Sequence, residues 1–292
     1  MPFDYAQMQA LAAVIRRGSF DRAAAELALT PSAISQRIRG LEDRLGAVLV
    51  ERSQPVRPTE AGARLMRHYD LVTLLERDLD QALRPADDGP ATVRIAVNAD
   101  SLATWFVPAL IETEGLIFDL VIDDQDHSLE ALRRGVVVAA LTSRAEPVQG
   151  ATSHALGVLR YCATASPAFM ARWFAAGVTP EAVSRAPVMA FNAKDRLLER
   201  WLAAHLGNSR TGPEHRIASP EAFLAATLGG IGWAMNPEVL VRDHLASGAL
   251  VTVAPHVLDV PLYWQVSRLA GEALAPLTRA VRRAAAAMLI AG

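Results

Sequence analysis

Residues 30–46 read Thr-Pro-Ser-Ala-Ile-Ser-Gln-Arg-Ile-Arg-Gly-Leu-Glu-Asp-Arg-Leu-Gly, and this stretch decides the fold of the N-terminal region. Threonine is a preferred N-cap, proline suits the first helical position, and Gly46 ends the helix. At about 100° per residue, one face of this helix is apolar and the opposite face is polar. The apolar face consists of Ile34, Ile38, Leu41 and Leu45. The polar face consists of Ser32, Ser35, Gln36 and Arg39.

The polar face carries groups that read base edges in DNA, since glutamine pairs with adenine, arginine with guanine and serine with either. The alternative is a plain amphipathic helix with a solvated face, which is common on protein surfaces. The flanking sequence favours DNA binding. Two shorter helices precede the stretch, the first with apolar spacing from Met8 to Ile15 and the second capped by Ser19. Segment 48–57 predicts a short hairpin, or wing, that carries Arg52 and Arg57.

A long helix is predicted from its N-cap, Thr59, to about Leu83. Two sets of mostly apolar residues each recur every seven positions along one stripe of this helix. This spacing indicates a short coiled-coil seam between two copies of the chain. The two sets are Leu65, Val72 and Leu79, and His68, Leu75 and Ala82. Residues 84–91 combine proline, glycine and aspartate without periodicity and predict a linker.

From Thr92 the pattern changes to strands that alternate with helices, which predicts parallel βαβ units. The predicted strands are 93–97, 118–122, 136–141, 160–164, 188–191, 216–218, 232–235, 250–253 and 262–267. The predicted helices are 101–113, 128–134, 167–175, 180–185, 194–206, 220–228, 237–246 and 272–290. A region of this length suits two small α/β lobes with a cleft between them.

The chain is therefore predicted to be a multidomain α+β protein. An all-α winged helix-turn-helix occupies 1–58, a linker or dimerisation helix 59–88, and an effector-binding domain 89–292. Its lobes resemble those of a periplasmic binding protein. Lobe 1 is predicted at about 89–162 and 268–292, and lobe 2 at about 163–267.

Composition narrows the functional class. Hydrophobic residues make up 51 % of the 292 positions, which favours a packed core over disorder, and the net charge of −2 argues neither for nor against DNA binding. The single cysteine, Cys162, can form neither an internal disulfide nor a metal cluster. No apolar run approaches the roughly 18 residues of a membrane span, and the N-terminus lacks a signal-peptide pattern. We therefore expect a cytoplasmic protein without cofactor, metal or membrane partner.

The helix-turn-helix resembles that of the LysR-type transcriptional regulators. The resemblance covers Gly-Ser-Phe-Asp-Arg-Ala-Ala-Ala-Glu-Leu-Ala-Leu at 18–29, the stretch quoted above, and segments 44–52 and 58–62. The order of domains in that family also matches the order predicted along the whole chain. The resemblance implies that linker helices pair into a dimer and that dimers often pair into tetramers. It also implies DNA contacts from Pro31, Ser32, Ser35, Gln36, Arg37 and Arg39, with Arg52 and Arg57 contributed by the wing.

A second stretch, Ala-Val-Asn-Ala-Asp-Ser-Leu-Ala-Thr-Trp-Phe at 96–106, resembles the branch of that family that responds to lysine and arginine. Segments 132–135, 220–223 and 262–264 fit the same branch, although Pro220 stands where relatives often have a small polar residue. Those regulators control basic amino acid export, and some carry an older description as inhibitors of replication initiation. The resemblance thus implies double-stranded operator DNA, a lysine or arginine effector and an exporter gene as target.

Candidate effector contacts lie where predicted strands end. Ser101 at a predicted helix start offers its hydroxyl and free backbone N–H groups to the ligand's carboxylate, although an ordinary N-cap is equally consistent. Asp100, Asp124 and Asp126 follow strand ends, where α/β sheets bind ligands, and suit the ligand's cations. For the acidic segment 123–127, a solvated loop or a metal site is an alternative. Glu221 is a candidate contact from the second lobe.

Other functional classes fit less well. The chain has no Gly-x-Ser-x-Gly elbow, no His-Glu-x-x-His and no phosphate-binding loop, so we expect no enzyme. A solute-binding protein would leave 1–83 unexplained, and a nonspecific nucleoid protein would leave the two lobes unexplained. Within the family, the alternatives are a different effector or a protein like the replication-initiation inhibitors. RNA polymerase is a further partner that the assignment allows, with a nucleoid-associated location.

Overall fold

The computed structural model describes residues 4–51, 53–83, 91–122, 125–207 and 211–291. Its N-terminal domain contains α1 (Tyr5–Arg17), α2 (Phe20–Glu26), α3 (Pro31–Leu45), β1 (Val50–Glu51) and β2 (Arg57–Pro58). The predicted boundaries of α3 are confirmed. The Thr30 hydroxyl accepts a hydrogen bond from the Ala33 N–H at 3.2 Å, and Gly46 ends the helix at φ 63°. The domain core contains the apolar face of α3, with Ile34, Ile38 and Leu41 at most 2 % exposed.

The wing is tied to the helices through backbone groups. β1 and β2 pair antiparallel, and the Val56 N–H donates to the carbonyl of Gly18, in the turn that ends α1, at 2.9 Å. The Glu42 carboxylate of α3 accepts from the Leu49 N–H at 2.8 Å. These bonds satisfy polar groups that burial would otherwise leave unpaired, and they hold the wing in a set orientation beside α3.

The linker helix α4 (Glu60–Leu83) joins two hydrophobic cores. Thr59 caps it as predicted, since its hydroxyl accepts from the Gly62 N–H at 3.1 Å. Leu65 packs into the core of the N-terminal domain, whereas Leu74 packs into the core of the C-terminal domain. The prediction that Leu65 lies on an intermolecular seam is therefore wrong, because its side chain is buried within the same chain. The side chains of Leu79 and Ala82 lie outside the described residues.

A six-stranded sheet organises the C-terminal domain. Its strands are β3 (Ala91–Val97), β4 (Leu116–Ile122), β5 (Ala139–Thr142), β6 (Ala151–Ala165), β9 (Ala234–Pro237) and β10 (Val251–Ser267). Their order is β4-β3-β5-β10-β6-β9. A second sheet pairs β7 (Val188–Ala190) with β8 (Glu214–Arg216). The prediction of parallel units holds for β3 with β4 and β5 and for β7 with β8, but β10 and β6 run antiparallel to their neighbours.

Helices cover the sheets. They are α5 (Ala99–Ser101), a π-helical turn (Leu102–Phe106), α6 (Val107–Ile111), α7 (Gln125–Arg133), α8 (Pro167–Trp173), α9 (Pro180–Arg185), α10 (Leu197–Leu206), α11 (Pro220–Leu228), α12 (Glu238–Ala246), a 3-10 turn (Arg268–Ala270) and α13 (Ala275–Met288). Lobe 1 is built on β3, β4 and β5, and lobe 2 on β7, β8, β9 and α10. Among the described residues, no helix is both long and apolar enough to cross a membrane.

Two predicted elements of this domain are wrong. The strands predicted at 250–253 and 262–267 form the single strand β10, because its pairing with β6 shifts register between Thr252 and Val257 and accommodates Pro255 in between. Ser101 does not begin a helix. Asn98 is the N-cap, and its side-chain oxygen accepts from the Ser101 N–H at 2.7 Å. The predicted lobe boundary at 162–163 falls inside β6.

Gly62 provides a test of how α4 meets the wing. A Cβ on Gly62 would overlap the carbonyl oxygen of Leu49, so we expect Gly62→Ala to destabilise the N-terminal domain by about 1–3 kcal/mol through overpacking. Circular dichroism during urea unfolding measures the helical loss. Tryptophan fluorescence monitors the C-terminal domain separately, because all five tryptophans lie there.

The matched control is Gly40→Ala in α3. A Cβ there would approach only the end of the Gln7 side chain, at 3.0 Å, which can move aside. In a helix, alanine is favoured over glycine by about 1 kcal/mol, so this variant should be neutral or stabilising. Equal effects of the two substitutions would contradict the close packing of α4 on the wing.

Candidate functional site

The polar face of α3 is open to solvent. Pro31, Ser32, Gln36 and Arg39 are exposed, and Ser35 and Arg37 are half-buried. The buried face opposite, with Ile34, Ile38 and Leu41, sets the orientation of the helix on its domain. The Ser32 hydroxyl lies 3.0 Å from the hydroxyl of the N-cap, Thr30, which orients it at the start of the helix. The structure therefore presents together the side chains that were predicted to read base edges.

The wing adds a positive charge beside this helix. Arg57 in β2 is exposed, whereas Arg52 lies outside the described residues. In the described part of the chain, no ion pair engages Arg37, Arg39 or Arg57. Unengaged guanidinium groups around a polar helix face suit phosphate and guanine contacts.

A cavity of about 340 Å³ opens in the C-terminal domain. Both lobes contribute to its lining. Lobe 1 supplies Asn98, Ala99, Asp100, Ile122 and Ser143, and lobe 2 supplies Phe191, Asn192, Lys194, Asp195, Arg196, Leu197, Arg200, Pro220, Phe223, Met235, Asn236, Pro237 and Leu240, with Tyr161 of β6 completing the set. Carboxylates, cations and amides thus line one cavity, which suits a small ligand that carries charges of both signs.

Asp100 is the predicted effector contact that the structure places in this cavity. Its carboxylate accepts a hydrogen bond from the Tyr161 hydroxyl at 2.7 Å. The pKa of the Asp100 carboxyl is raised to about 6, and burial is the largest cause. The hydrogen bond from Tyr161 lowers this pKa, and the negative charge of Asp195 adds a smaller increase. A bound cation stabilises the ionised form of such a carboxylate strongly, because it offsets the free-energy cost of burying the negative charge.

Ser101 occupies a different position from the one expected. It is fully buried within the helical segment, it does not line the cavity, and its hydroxyl has no hydrogen-bond partner among the described residues. The adjacent Asn98 lines the cavity instead. It is 9 % exposed, and its side-chain NH₂ group donates to no acceptor in the described part of the chain.

Of the other predicted contacts, the structure describes only the side chain of Glu221. Glu221 is exposed at the start of α11 and is absent from the lining, although its neighbours Pro220 and Phe223 contribute to it. Asp124 lies outside the described residues, and so does the side chain of Asp126. Predictions for these two acids are therefore left as predictions.

Sequence reasoning missed the contribution of lobe 2. The turn before α10 brings Lys194, Asp195 and Arg196 to the cavity, and α10 itself contributes Arg200. The signal available in the sequence was Asn192-Ala-Lys-Asp195, a run of turn-forming residues that favours local side-chain hydrogen bonds. Asn192 indeed accepts from the Lys194 N–H at 2.7 Å. The pattern predicts a turn, but it does not indicate which lobe surface the turn faces.

Comparison with known proteins finds two family models that match this chain. A family model described as "Bacterial regulatory helix-turn-helix protein, lysR family" matches residues 5–63. A second model, described as "LysR substrate binding domain", matches residues 86–289. The two matches cover the α3 surface and the cavity, respectively.

Full-length relatives match in the same way. The HTH-type transcriptional regulator ArgP of Pseudomonas fluorescens (strain Pf0-1) is 44 % identical over 295 aligned positions that cover 99 % of each chain. The crystal structure of ArgP from Mycobacterium tuberculosis superimposes with a TM-score of 0.82 at 41 % identity, covering 99 % of this chain and 100 % of that one. Full-length LysG of Corynebacterium glutamicum with bound effector Arg gives a TM-score of 0.69 at 34 % identity, with the same coverage.

The α3 surface yields a test of base reading. We expect Gln36→Ala and Arg39→Ala each to weaken binding to a selected DNA site by roughly 1–3 kcal/mol, because each removes a base-edge contact. Arg57→Ala should weaken binding to selected and scrambled duplexes alike if it meets only phosphate. Gel-shift titration at fixed salt measures both. Unchanged affinity in the two α3 variants would contradict base reading by this face.

The raised pKa of Asp100 yields a stability test. An acid whose pKa is higher in the folded than in the unfolded protein destabilises the fold as pH rises, here between about pH 4 and pH 6. Asp100→Asn keeps an acceptor for Tyr161 and removes the charge. We expect it to stabilise the ligand-free protein at pH 7.5 by up to about 3 kcal/mol, and the gain should disappear near pH 4.

Urea unfolding followed by tryptophan fluorescence measures this difference. The control is Asp243→Asn, which removes an exposed carboxylate from α12 outside the cavity. It should change stability little at either pH. A gain from Asp100→Asn that is the same at pH 4 and pH 7.5 would show that the buried charge is not its cause.

Proposed function

The chain belongs to the LysR family of bacterial helix-turn-helix transcriptional regulators, and from this premise we propose that it senses arginine or lysine in the two-lobed cavity and controls a basic amino acid exporter gene. The relatives matched above are transcriptional regulators, not enzymes. Base contacts come from the exposed face of α3, with Pro31, Ser32, Ser35, Gln36, Arg37 and Arg39, and wing contacts come from Arg52 and Arg57.

The observation that carries the effector assignment is the mixed charge of the cavity. Asp100 offers a buried carboxylate to a cationic group, and Asn98 offers an unpaired donor to a carboxylate. An α-amino acid with a cationic side chain carries both complements. The relative from Corynebacterium glutamicum, whose structure contains bound effector Arg, supports the same class of ligand. Asp124 and Asp126 are proposed as further contacts, and no cofactor is part of the proposal.

Partners and location follow from the same assignment. The chain acts on double-stranded operator DNA as a homodimer or tetramer in the cytoplasm, associated with the nucleoid, and RNA polymerase is a further partner. The dimer forms along α4, where Val72 is half-buried and Leu75 is 40 % exposed. Ligand binding shifts the equilibrium between two lobe arrangements only through its different affinity for them.

Isothermal calorimetry on the full chain tests the effector. We expect arginine or lysine to bind at submillimolar concentration, and norleucine, which lacks the side-chain cation, to bind far more weakly. Charge-assisted hydrogen bonds are worth about 1.5–3 kcal/mol, so Asp100→Asn should reduce the affinity for the basic ligand about 10- to 100-fold.

The same variant should bind its selected DNA with wild-type affinity and lose the response to the ligand. If wild type binds neither amino acid at millimolar concentration, the effector belongs to another class. If DNA binding is equally tight on all duplexes and is indifferent to amino acids, a role like that of the replication-initiation inhibitors fits better.

A further inference from the structure

Asp195 is a second carboxylate of the cavity, and its position is set by the backbone around it. One of its oxygens accepts from the Phe191 N–H at 2.9 Å, and the other accepts from the Leu197 N–H at 3.0 Å. These two bonds hold the carboxylate in the turn that precedes α10, on the lobe 2 side of the cavity. A carboxylate oxygen has more than one acceptor site, so both oxygens retain capacity for a ligand.

Asp195 and Asp100 approach each other from different lobes. They line the same cavity, and the charge of Asp195 reaches Asp100 strongly enough to raise the pKa of the Asp100 carboxyl, in addition to the larger effect of burial. Neither carboxylate forms an ion pair in the described part of the chain. The two carboxylates therefore share one cavity and act on each other electrostatically.

Two arginines that share the lining interact with other groups. Arg196 pairs with Glu199 at 2.5 Å. Burial raises the pKa of the Tyr161 phenol, and the nearby Asp100 raises this pKa further. The positive charge of Arg200 lowers the same pKa. Arg200 therefore interacts electrostatically with the phenol that donates to Asp100. In the described part of the chain, Arg196 and Arg200 form no ion pair with either carboxylate, so both carboxylates can accept a cation that arrives with a ligand.

We propose that Asp100 and Asp195 form a two-lobe clamp that holds the side-chain cation of the effector between them. This inference rests on the proposed function. A single cation that bridges both carboxylates removes their repulsion and draws lobe 1 toward lobe 2. Binding of the ligand's cationic group is thereby coupled to closure of the lobes. Without ligand, the repulsion of the two carboxylates favours the open arrangement.

An independent observation supports binding of the rest of the ligand in this cavity. Asn98 lines it, is 9 % exposed, and has a side-chain NH₂ group without an acceptor among the described residues. Buried donors in native proteins are nearly always satisfied, so this group points to an acceptor that the ligand supplies. The α-carboxylate of an amino acid is such an acceptor, and its side-chain cation is then free to reach the acids.

The test compares arginine with citrulline, which has almost the same shape but a neutral side-chain end. Calorimetry on the full chain at pH 7.5 measures both dissociation constants for wild type, Asp195→Asn and Asp100→Asn. We expect wild type to prefer arginine by at least a hundredfold, and each variant to reduce that preference at least tenfold. The matched control, Glu181→Gln, removes an exposed lobe 2 carboxylate outside the cavity and should leave the preference unchanged.

Each outcome decides a different question. If Asp195→Asn weakens the binding of arginine and of citrulline by the same factor, or changes neither, the preference for arginine is unchanged. Asp195 then only shapes the turn, and the clamp is overturned while the proposed function stands. If wild type binds neither arginine nor lysine, the proposed function itself fails. Should Asp195→Asn not fold by its tryptophan fluorescence, Asp195→Ser replaces it, since serine keeps one acceptor for the turn and lacks the charge.

Discussion

The pairing of β6 with β10 is the interaction on which the rest of the C-terminal domain depends. One end of this ladder continues to β5, where Tyr263–Val266 meet Ala139–Thr142. The other end continues to β9, where Tyr161–Thr164 meet Ala234–Pro237. The strands of both lobes therefore pair with the same two strands, β6 and β10. At Leu262–Tyr263 the register shifts opposite Gly157, whose φ of 127° is accessible mainly to glycine.

The cavity uses this shared ladder to bring charges together. Tyr161 belongs to β6 and donates to Asp100, which follows β3 in lobe 1, while Asp195 enters from lobe 2. A buried carboxylate with a raised pKa lowers the stability of the ligand-free protein at neutral pH. The hydrogen bond from the buried Tyr161 holds the Asp100 carboxylate in this position. Such a locally unfavourable group is expected at a binding site, because the ligand supplies the missing countercharge.

The helix α4 connects the domain that contains this cavity to the helix-turn-helix domain through packing at both ends. Leu65 belongs to the N-terminal core and Leu74 to the C-terminal core. Asp70 of the same helix pairs with Arg16 of α1 at 2.5 Å, and Tyr5 donates to Glu76 at 3.0 Å. A change in the arrangement of lobe 1 therefore acts on a helix that is bonded to the domain presenting Gln36 and Arg39.

The sequence by itself determined the exposed polar face of α3 and the order of most elements, because the signals involved are local. Thr30, Gly46 and Thr59 act on backbone groups within a few residues, and helical periodicity places Ile34 and Gln36 on opposite faces. It also located Asp100 at the end of a buried strand. Only the tertiary structure decided that Ser101 is enclosed, that Leu65 belongs to an internal core and that Asp195 shares a cavity with Asp100. These facts depend on antiparallel pairing between strands far apart in the chain, and no local pattern specifies which distant segments a ladder joins.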